Sequence, residues 1–383
     1  MNGPENLIAV PVNTAPLPTV QNHTRHPSQY YQMLDVSGQV FHVIVSRLTY
    51  TLRRVDGHSR PLLAETQTPL VATDEFYGEA NASSVIQESD FAAYKPQCDI
   101  LFTHATAHAP GGQPAPRWPV EVRIGDWAKR FTVTGPRYAE PTRDHGWRIT
   151  EPEPALQVPI RYEQAFGGTC QWPLRTEPDQ PPELLAREEH NPVGCGYVDE
   201  AWLAKSRVAD IDVPQIEVPD RPFDEGAIKA QSYPVIGLGA IGRWWLPRRL
   251  KAGTYDDDWK QTRWPHLPLD FDFGYWNAAP EDQQIDYPQG GEPVVLIHVH
   301  PTPEVRFNLP KPDLKMLLHL DAGVPLFKLM NIDTLIFDMQ TLQLIVVQRG
   351  LVAARAGVDR IELGTWDIAA ARAANANLLN PPP

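Results

Sequence analysis

Val40-Phe-His-Val-Ile-Val-Ser-Arg-Leu-Thr-Tyr-Thr-Leu-Arg-Arg-Val55 reads as one long β-strand. Successive strand side chains point to opposite faces. Ile44, Leu48, Tyr50 and Leu52 therefore share one face, and Phe41, Val43 and Val45 the other. Asp56-Gly57, directly after the run from Gln39 to Val55, supplies a hairpin-type turn. Shorter strands are predicted at Asp99–Thr103, Val120–Ile124 and Arg130–Val133, with Asp126 in the turn between the last two. Strands return after residue 291. They are Val294–His300, a hairpin of Thr334–Phe337 and Leu342–Val347 around Met339–Thr341, and Gly357–Trp366. Turns about every 8–12 residues are the spacing of a meander or sandwich.

Proline supports this reading. The chain has 40 prolines in 383 residues, about twice the usual ~5%. Proline lacks an N–H and its ring clashes one turn back, so it breaks helix interiors and central strands. Long proline-free stretches are few, 28–60, 193–213 and 326–380 among them. Bundles, coiled coils and doubly wound α/β folds need many uninterrupted helices, and the proline positions argue against all three. With 42% hydrophobic residues and 11 Trp the chain can form a real core. The expected fold is mainly β, with antiparallel sandwich-like sheets, long proline-rich loops and a few short helices. One short helix is predicted over 182–190, where Pro182 suits the first helical position and Asn191-Pro192 ends it. A second is predicted over Asp199–Ala209, and the alanine-rich Asp367–Leu379 favours a third before Pro381.

Texture divides the chain into 1–145, β-rich and including an extended arm over 1–27, a loop-rich aromatic region over 146–290, and 291–383, β-rich with the terminal helix. Prolines are mildly denser in the middle region, 17 of the 40. Stiff loops lose less entropy on ordering.

The net charge of −13 disfavours nucleic acid, which needs a basic surface, and an anionic membrane. It suits a basic or neutral protein partner. Cys98, Cys170 and Cys195 are odd in number and widely spaced, which reads as a reducing compartment without disulfides. No basic, apolar leader opens the chain, and no apolar run approaches the ~18 residues that span a bilayer. A cytoplasmic protein without membrane insertion is expected.

Gly237-Leu-Gly-Ala-Ile-Gly242 fits a dinucleotide-binding fingerprint, with Asp256–Asp258 about 20 residues on. Its context does not: Tyr233-Pro-Val-Ile is too short for a buried strand, and Pro247 would break the following helix. His298 and His300 on one strand face, with His104 and His108, are the imidazoles nearest to a zinc or iron set, but they lack a nameable third ligand. Asp256-Asp-Asp258 lacks the alternating oxygen ligands of a calcium loop. Nucleophile-elbow, HExxH and P-loop patterns are absent. No cofactor or metal is expected.

The most distinctive unit is Val158-Pro-Ile-Arg-Tyr-Glu-Gln-Ala-Phe-Gly-Gly168. An extended segment enters a double-glycine turn, and two glycines permit positive φ and close backbone approach. On a strand, Arg161 and Glu163 point one way and Tyr162 the other. One reading makes Glu163 a general base assisted by Tyr162 or Arg161. The other pairs Arg161 with Glu163 and uses Tyr162 and Phe166 as anchors that lock a loop at Gly167 and Gly168.

This segment resembles the hallmark of the bacterial domain-of-unknown-function 2169 family. Ser89-Asp-Phe-Ala-Ala-Tyr-Lys-Pro-Gln-Cys-Asp99, Asn191-Pro-Val-Gly-Cys-Gly-Tyr197 and Pro214-Gln-Ile-Glu217 follow in order. So do Trp245-Leu-Pro-Arg248, Ala252-Gly-Thr-Tyr-Asp256 with Trp259, Leu267-Pro-Leu-Asp-Phe-Asp272, and Asn277-Ala-Ala-Pro280 with Asp282-Gln-Gln284. Each is weak alone, and together they are specific over roughly 36–350. Cys195 stands where the family often has Arg. The resemblance implies a cytoplasmic type VI secretion adaptor or effector chaperone. Such a protein holds a secreted effector, near its PAAR-like or N-terminal region, and helps load it on the spike. It implies no catalytic residues.

Trp, Tyr and Arg are the residues of interface hot spots, and the middle region supplies Trp244, Trp245, Arg248, Tyr255, Trp259, Trp264, Tyr275 and Trp276 as partner-binding candidates. About half of them are expected inside the core instead. The alternative function is a carboxylate-dependent hydrolase or carbohydrate-active enzyme using Glu163, Asp256 and Asp270, since aromatics also stack on sugars.

Overall fold

Along the chain the strands used below are β1 (Thr19–Asn22), β2 (Ser28–Leu34), β3 (Val40–Val55), β4 (His58–Leu63), β5 (Cys98–Thr103), β6 (Arg117–Ile124), β7 (Trp127–Thr134) and β8 (Ile216–Glu217). They continue with β9 (Gln284–Ile285), β10 (Pro293–Ile297), β11 (Glu304–Asn308), β12 (Lys315–Leu320), β13 (Leu326–Leu329), β14 (Asn331–Asp338), β15 (Gln343–Ala353) and β16 (Val358–Gly364). The computed structural model describes residues 17–366 apart from 56, 57, 145, 173–182, 207, 322, 324, 355 and 356. Among the described residues the protein is mainly β, with 43% strand and 11% helix.

A seven-stranded sheet runs β2-β3-β15-β14-β5-β9, with β4 also paired to β3. Its longest strand, β3, is the one anticipated from the sequence. One margin of β3 is shared by β2 and β4, and the other is held by β15 over Phe41–Thr51. Ile44, Leu48 and Leu52 enter the main core. Val43, Val45, Arg47 and Thr49 on the opposite face are buried too. Arg47 pairs with Asp90, and the Thr49 and Thr68 hydroxyls meet at 2.7 Å. Burial on both faces explains the near-continuous apolar run. The Asp56-Gly57 turn lies outside the described residues, but Val55 pairs with His58 across it.

A five-stranded antiparallel sheet runs β8-β7-β6-β10-β11, and a four-stranded one β1-β16-β12-β13. The β6–β7 hairpin pairs Ile124 with Trp127. Its two-residue turn puts Gly125 first with φ of 57°, which suits a type II′ turn and the twist of the strands. The β14–β15 hairpin is closed by Asp338, whose carboxylate accepts from the Gln340 amide and the Thr341 hydroxyl. One core unites the three sheets. Phe102 and Phe337 stack at 4.6 Å within it, and Trp118, Phe131, Val294, Met316 and Ile361 are buried in the same cluster.

Chain order and sheet order part company. The seven-stranded sheet takes β2–β5 from before residue 145 and β14–β15 from after 291, with β5 and β14 parallel. Two local expectations are corrected. Glu183–Arg187 is a strand, not part of a helix over 182–190, and it pairs with Thr169–Trp172. The helix-forming Glu-Leu-Leu-Ala-Arg sequence yields here to tertiary pairing. β10 ends at Ile297, and His298 has φ of 61°, so His298 and His300 do not share a strand face. The helix expected over Asp199–Ala209 is present as α1 (Glu200–Ser206). The terminal helix over Asp367–Leu379 and most of the arm before Leu17 lie outside the described residues.

Candidate partner-binding surface

Residues 158–168 do not continue as a strand. Gln157–Pro159 pairs with Thr106–His108, and Tyr162–Gln164 then forms a single 3-10 turn. The turn sends Arg161 and Glu163 to different partners, so the expected Arg161–Glu163 pair does not form. The Arg161 guanidinium lies 3.9 Å from the centre of the Tyr77 ring. The Glu163 carboxylate accepts from the Ser84 amide at 2.7 Å and from the Ser84 hydroxyl. Tyr162 is buried, donates to the Gly239 carbonyl at 3.1 Å, and meets the Trp245 ring edge-on at 5.2 Å. Burial pushes its phenol far above the ordinary value, which leaves it neutral.

Gly167 and Gly168 have φ of 150° and 127°, as the double-glycine reading requires. A Cβ on Gly167 would stand 2.0 Å from the Asn191 carbonyl oxygen. That closeness is how two sequence motifs interlock. The Asn191 amide group donates to the Tyr162 and Phe166 carbonyls, both at 2.9 Å. Phe166-Gly167 pairs in parallel with Cys195-Gly196. The Cys195 thiol sits against the Ala165 carbonyl, and burial raises its pKa. The glycines of 237–242 serve close approach as well. A Cβ on Gly237 would strike the Tyr162 ring, and one on Gly242 the Trp245 ring.

The other motifs join in the same way. Asp99 accepts from Lys95 at 2.8 Å, from the Asn277 side chain at 2.9 Å, and from the Ala278 and Ala279 amides. Arg47 and the Val71 amide hold Asp90. Glu217 takes Arg137 and the Phe223 amide. Arg248 is 2% exposed, pairs with Glu88, and donates to the Ile241 and Tyr275 carbonyls. A buried charge needs such partners, and these side chains have them inside the protein.

The eight aromatic and arginine candidates separate by depth. Trp245 and Arg248 are buried. Trp244, Trp259, Tyr275 and Trp276 are half-buried. Arg187 lies over Trp244 and Arg243 over Trp276. Tyr255 and Trp264 are 53% and 56% exposed. Leu250 and Leu269, which are not aromatic and carry no hot-spot signal in the sequence, are 74% and 71% exposed. Among the described residues, seven large apolar side chains are more than half exposed, and four of them fall in 250–269.

This exposed segment is held in shape. Asp256 caps α2 (Asp257–Thr262) through the Trp259 amide. Asp270 accepts from the Thr254 amide and hydroxyl, which lower its pKa. The Trp259 indole donates to the His266 carbonyl at 2.9 Å, and Arg263 ties the Leu267 carbonyl to that of Val36. Glu163, Asp256 and Asp270, the carboxylates of the enzyme alternative, thus each accept a hydrogen bond from a backbone amide.

The histidine segments approach one another, with the His108 amide on the His298 carbonyl at 2.9 Å. His104 instead reaches Asp338 and Tyr77. No group of three or more His, Cys, Asp or Glu is placed to hold a metal among the described residues. No helix there is long and apolar enough to cross a membrane.

A mainly β protein, with its sequence motifs locked together by buried polar contacts, is the class that the fold and surface define. The family model for DUF2169, described as an uncharacterized protein conserved in bacteria, matches residues 37–349. The chain belongs to this bacterial family. No curated protein and no solved structure compared with it matches the chain.

Proposed function

We propose that the protein is a non-enzymatic adaptor that binds a type VI secretion effector, at its PAAR-like or N-terminal region, in the cytoplasm and helps load it on the spike. The observation that carries this reading is the exposed quartet Leu250, Tyr255, Trp264 and Leu269 on a segment fixed by its own hydrogen bonds. A pre-shaped apolar surface loses little entropy on docking, and exposed aromatics are the usual anchors. Trp245 and Arg248 are buried, and Tyr255 and Trp264 make the contact. The resemblance of the motif series to secretion-linked adaptors supplies the kind of partner.

The test is co-expression with the genetically adjacent effector and spike, followed by affinity capture and size-exclusion chromatography. A stable complex is expected with the native chain. Replacing Tyr255 and Trp264 together by serine should weaken it by about tenfold or more, each tenfold being ~1.4 kcal/mol. Absence of a complex at both low and moderate salt, or an unaffected double variant, would overturn the assignment.

A further inference from the structure

The polypeptide forks at Met330. After it, β14 pairs with β15 from Asn331 with Arg349 onward. Before it, β13 leaves β15 and pairs with β12, from Lys315 with Leu329 to Leu318 with Leu326. β15 runs on past the fork. Its Gly350–Ala353 keep β3 on one side and, among the described residues, have no strand on the side that β14 has left. Among the described residues, β13 is itself the outermost strand of its sheet. In an antiparallel pair, alternate residues aim their N–H and C=O away from the partner. A lone edge strand therefore presents about half of its backbone groups unpaired.

A groove of about 710 Å3 opens between these two strand margins, walled by Met33, Phe41, Phe273, Leu318, Phe327 and Val352. Leu326, which also lines it, is 52% exposed. Lys328 donates to the Leu351 carbonyl across the fork, so that carbonyl faces the groove and not β3. The groove adjoins the exposed aromatic segment. Arg263 bonds the Val36 carbonyl in the turn between β2 and β3, and Met33 and Phe41 on either side of that turn line the groove.

We propose that this fork is a β-strand acceptor for an extended apolar segment of a partner protein. The segment's backbone would complete the margin of β13, and its alternate side chains would enter the groove. Main-chain pairing gives such recognition its affinity and the pockets give it selectivity. The net charge of −13 favours basic residues flanking the segment. The proposal rests on the adaptor reading above and names the chemistry of what is bound.

The experiment uses the full chain and a fluorescein-labelled, lysine-flanked peptide of alternating valine and threonine. A twin carries N-methyl groups on alternate amides, which keeps charge and side chains but removes hydrogen-bond donors. Saturable binding by fluorescence anisotropy is expected. The twin, and separately Leu326→Asp, should each weaken it by about tenfold or more. A second variant, Leu351→Asp, should do the same, and thermal melting checks that both variants fold. No saturable binding, equal binding of the twin, or indifference to both variants would overturn the proposal. So would a native dimer that Leu326→Asp converts to a monomer, since a second copy would then be the occupant. If the peptide binds as stated and the effector forms no complex, the adaptor reading falls and the strand acceptor stands. If the effector binds and the peptide does not, the acceptor falls alone.

Discussion

The interlocked motifs around Asn191 and Arg248 and the segment 250–269 are both rich in aromatic and charged residues, and they use them in opposite ways. In the first, polar groups turn inward. Arg248 and Glu88 are 2% and 7% exposed and are satisfied by each other and by backbone carbonyls. In the second, hydrogen bonds close small local circuits, Thr254 with Asp270 and Trp259 with His266, and leave Tyr255 and Trp264 facing solvent. The difference teaches that a conspicuous motif is not by itself a site. The buried network holds loops that lack regular sheet, and the exposed segment has large apolar surface left over for a partner.

Gly167→Val should have the largest effect. The new Cβ would meet the Asn191 backbone at 2.0 Å in a left-handed conformation. A cost above about 4–5 kcal/mol is the exceptional range, and recovery of little or no folded protein is expected. Gly111→Ala is the control. It also has positive φ, at 67°, but nothing lies within 4 Å of its Cβ, so its cost should stay near 1–2 kcal/mol. Similar melting temperatures for the two variants would show that the interlock is soft.

Arg248→Met comes next. It leaves Glu88 without its main partner and two carbonyls without donors. Removing one member of a buried pair costs about 3–5 kcal/mol, read as a lower midpoint in urea. The double variant with Glu88→Met should recover part of the loss. Equal stability of native and single variant would mean that water enters the site.

Trp245→Ala against Trp264→Ala sharpens the contrast directly. Trp245 is 1% exposed in contact with Tyr162 and should cost about 3–5 kcal/mol. Trp264 is 56% exposed and should stay within about 0.5 kcal/mol. Equal losses would show that 250–269 is structural after all.

The sequence made part of this legible. β3, the β6–β7 hairpin and the β14–β15 hairpin carry their signals locally, as apolar runs bounded by glycine or aspartate turns. Gly167 and Gly168 likewise announced their backbone. Arg161 and Glu163 did not, because a 3-10 turn after Pro159 breaks the alternation that would have paired them. Glu183–Arg187 reads as helix and pairs as strand through contacts with Thr169–Trp172. The fork at Met330 leaves no local mark, since β14 pairs with β5 more than 200 residues away. Single-residue motifs could name Asp99 and Asn277 but not that they touch.

The smallest expected effect is a pH dependence seated in the interior. His42 is 4% exposed, with its Nδ1 2.9 Å from the Tyr30 hydroxyl. Burial lowers its pKa below the ordinary 6.5. The unfolded chain therefore takes up a proton at a higher pH than the folded one, and stability rises with pH across that interval. The contribution is complete above about pH 6.5 and is lost as pH falls from there through the folded-state value, at no more than ~1.4 kcal/mol per pH unit. The melting temperature should drop between pH 7.5 and 5.5, and His42→Gln should flatten the fall. His26, His108 and His300 are lowered by burial as well, so the slope should shrink without vanishing. An unchanged slope in His42→Gln would place the acid sensitivity at those other histidines and leave the β3 site outside it.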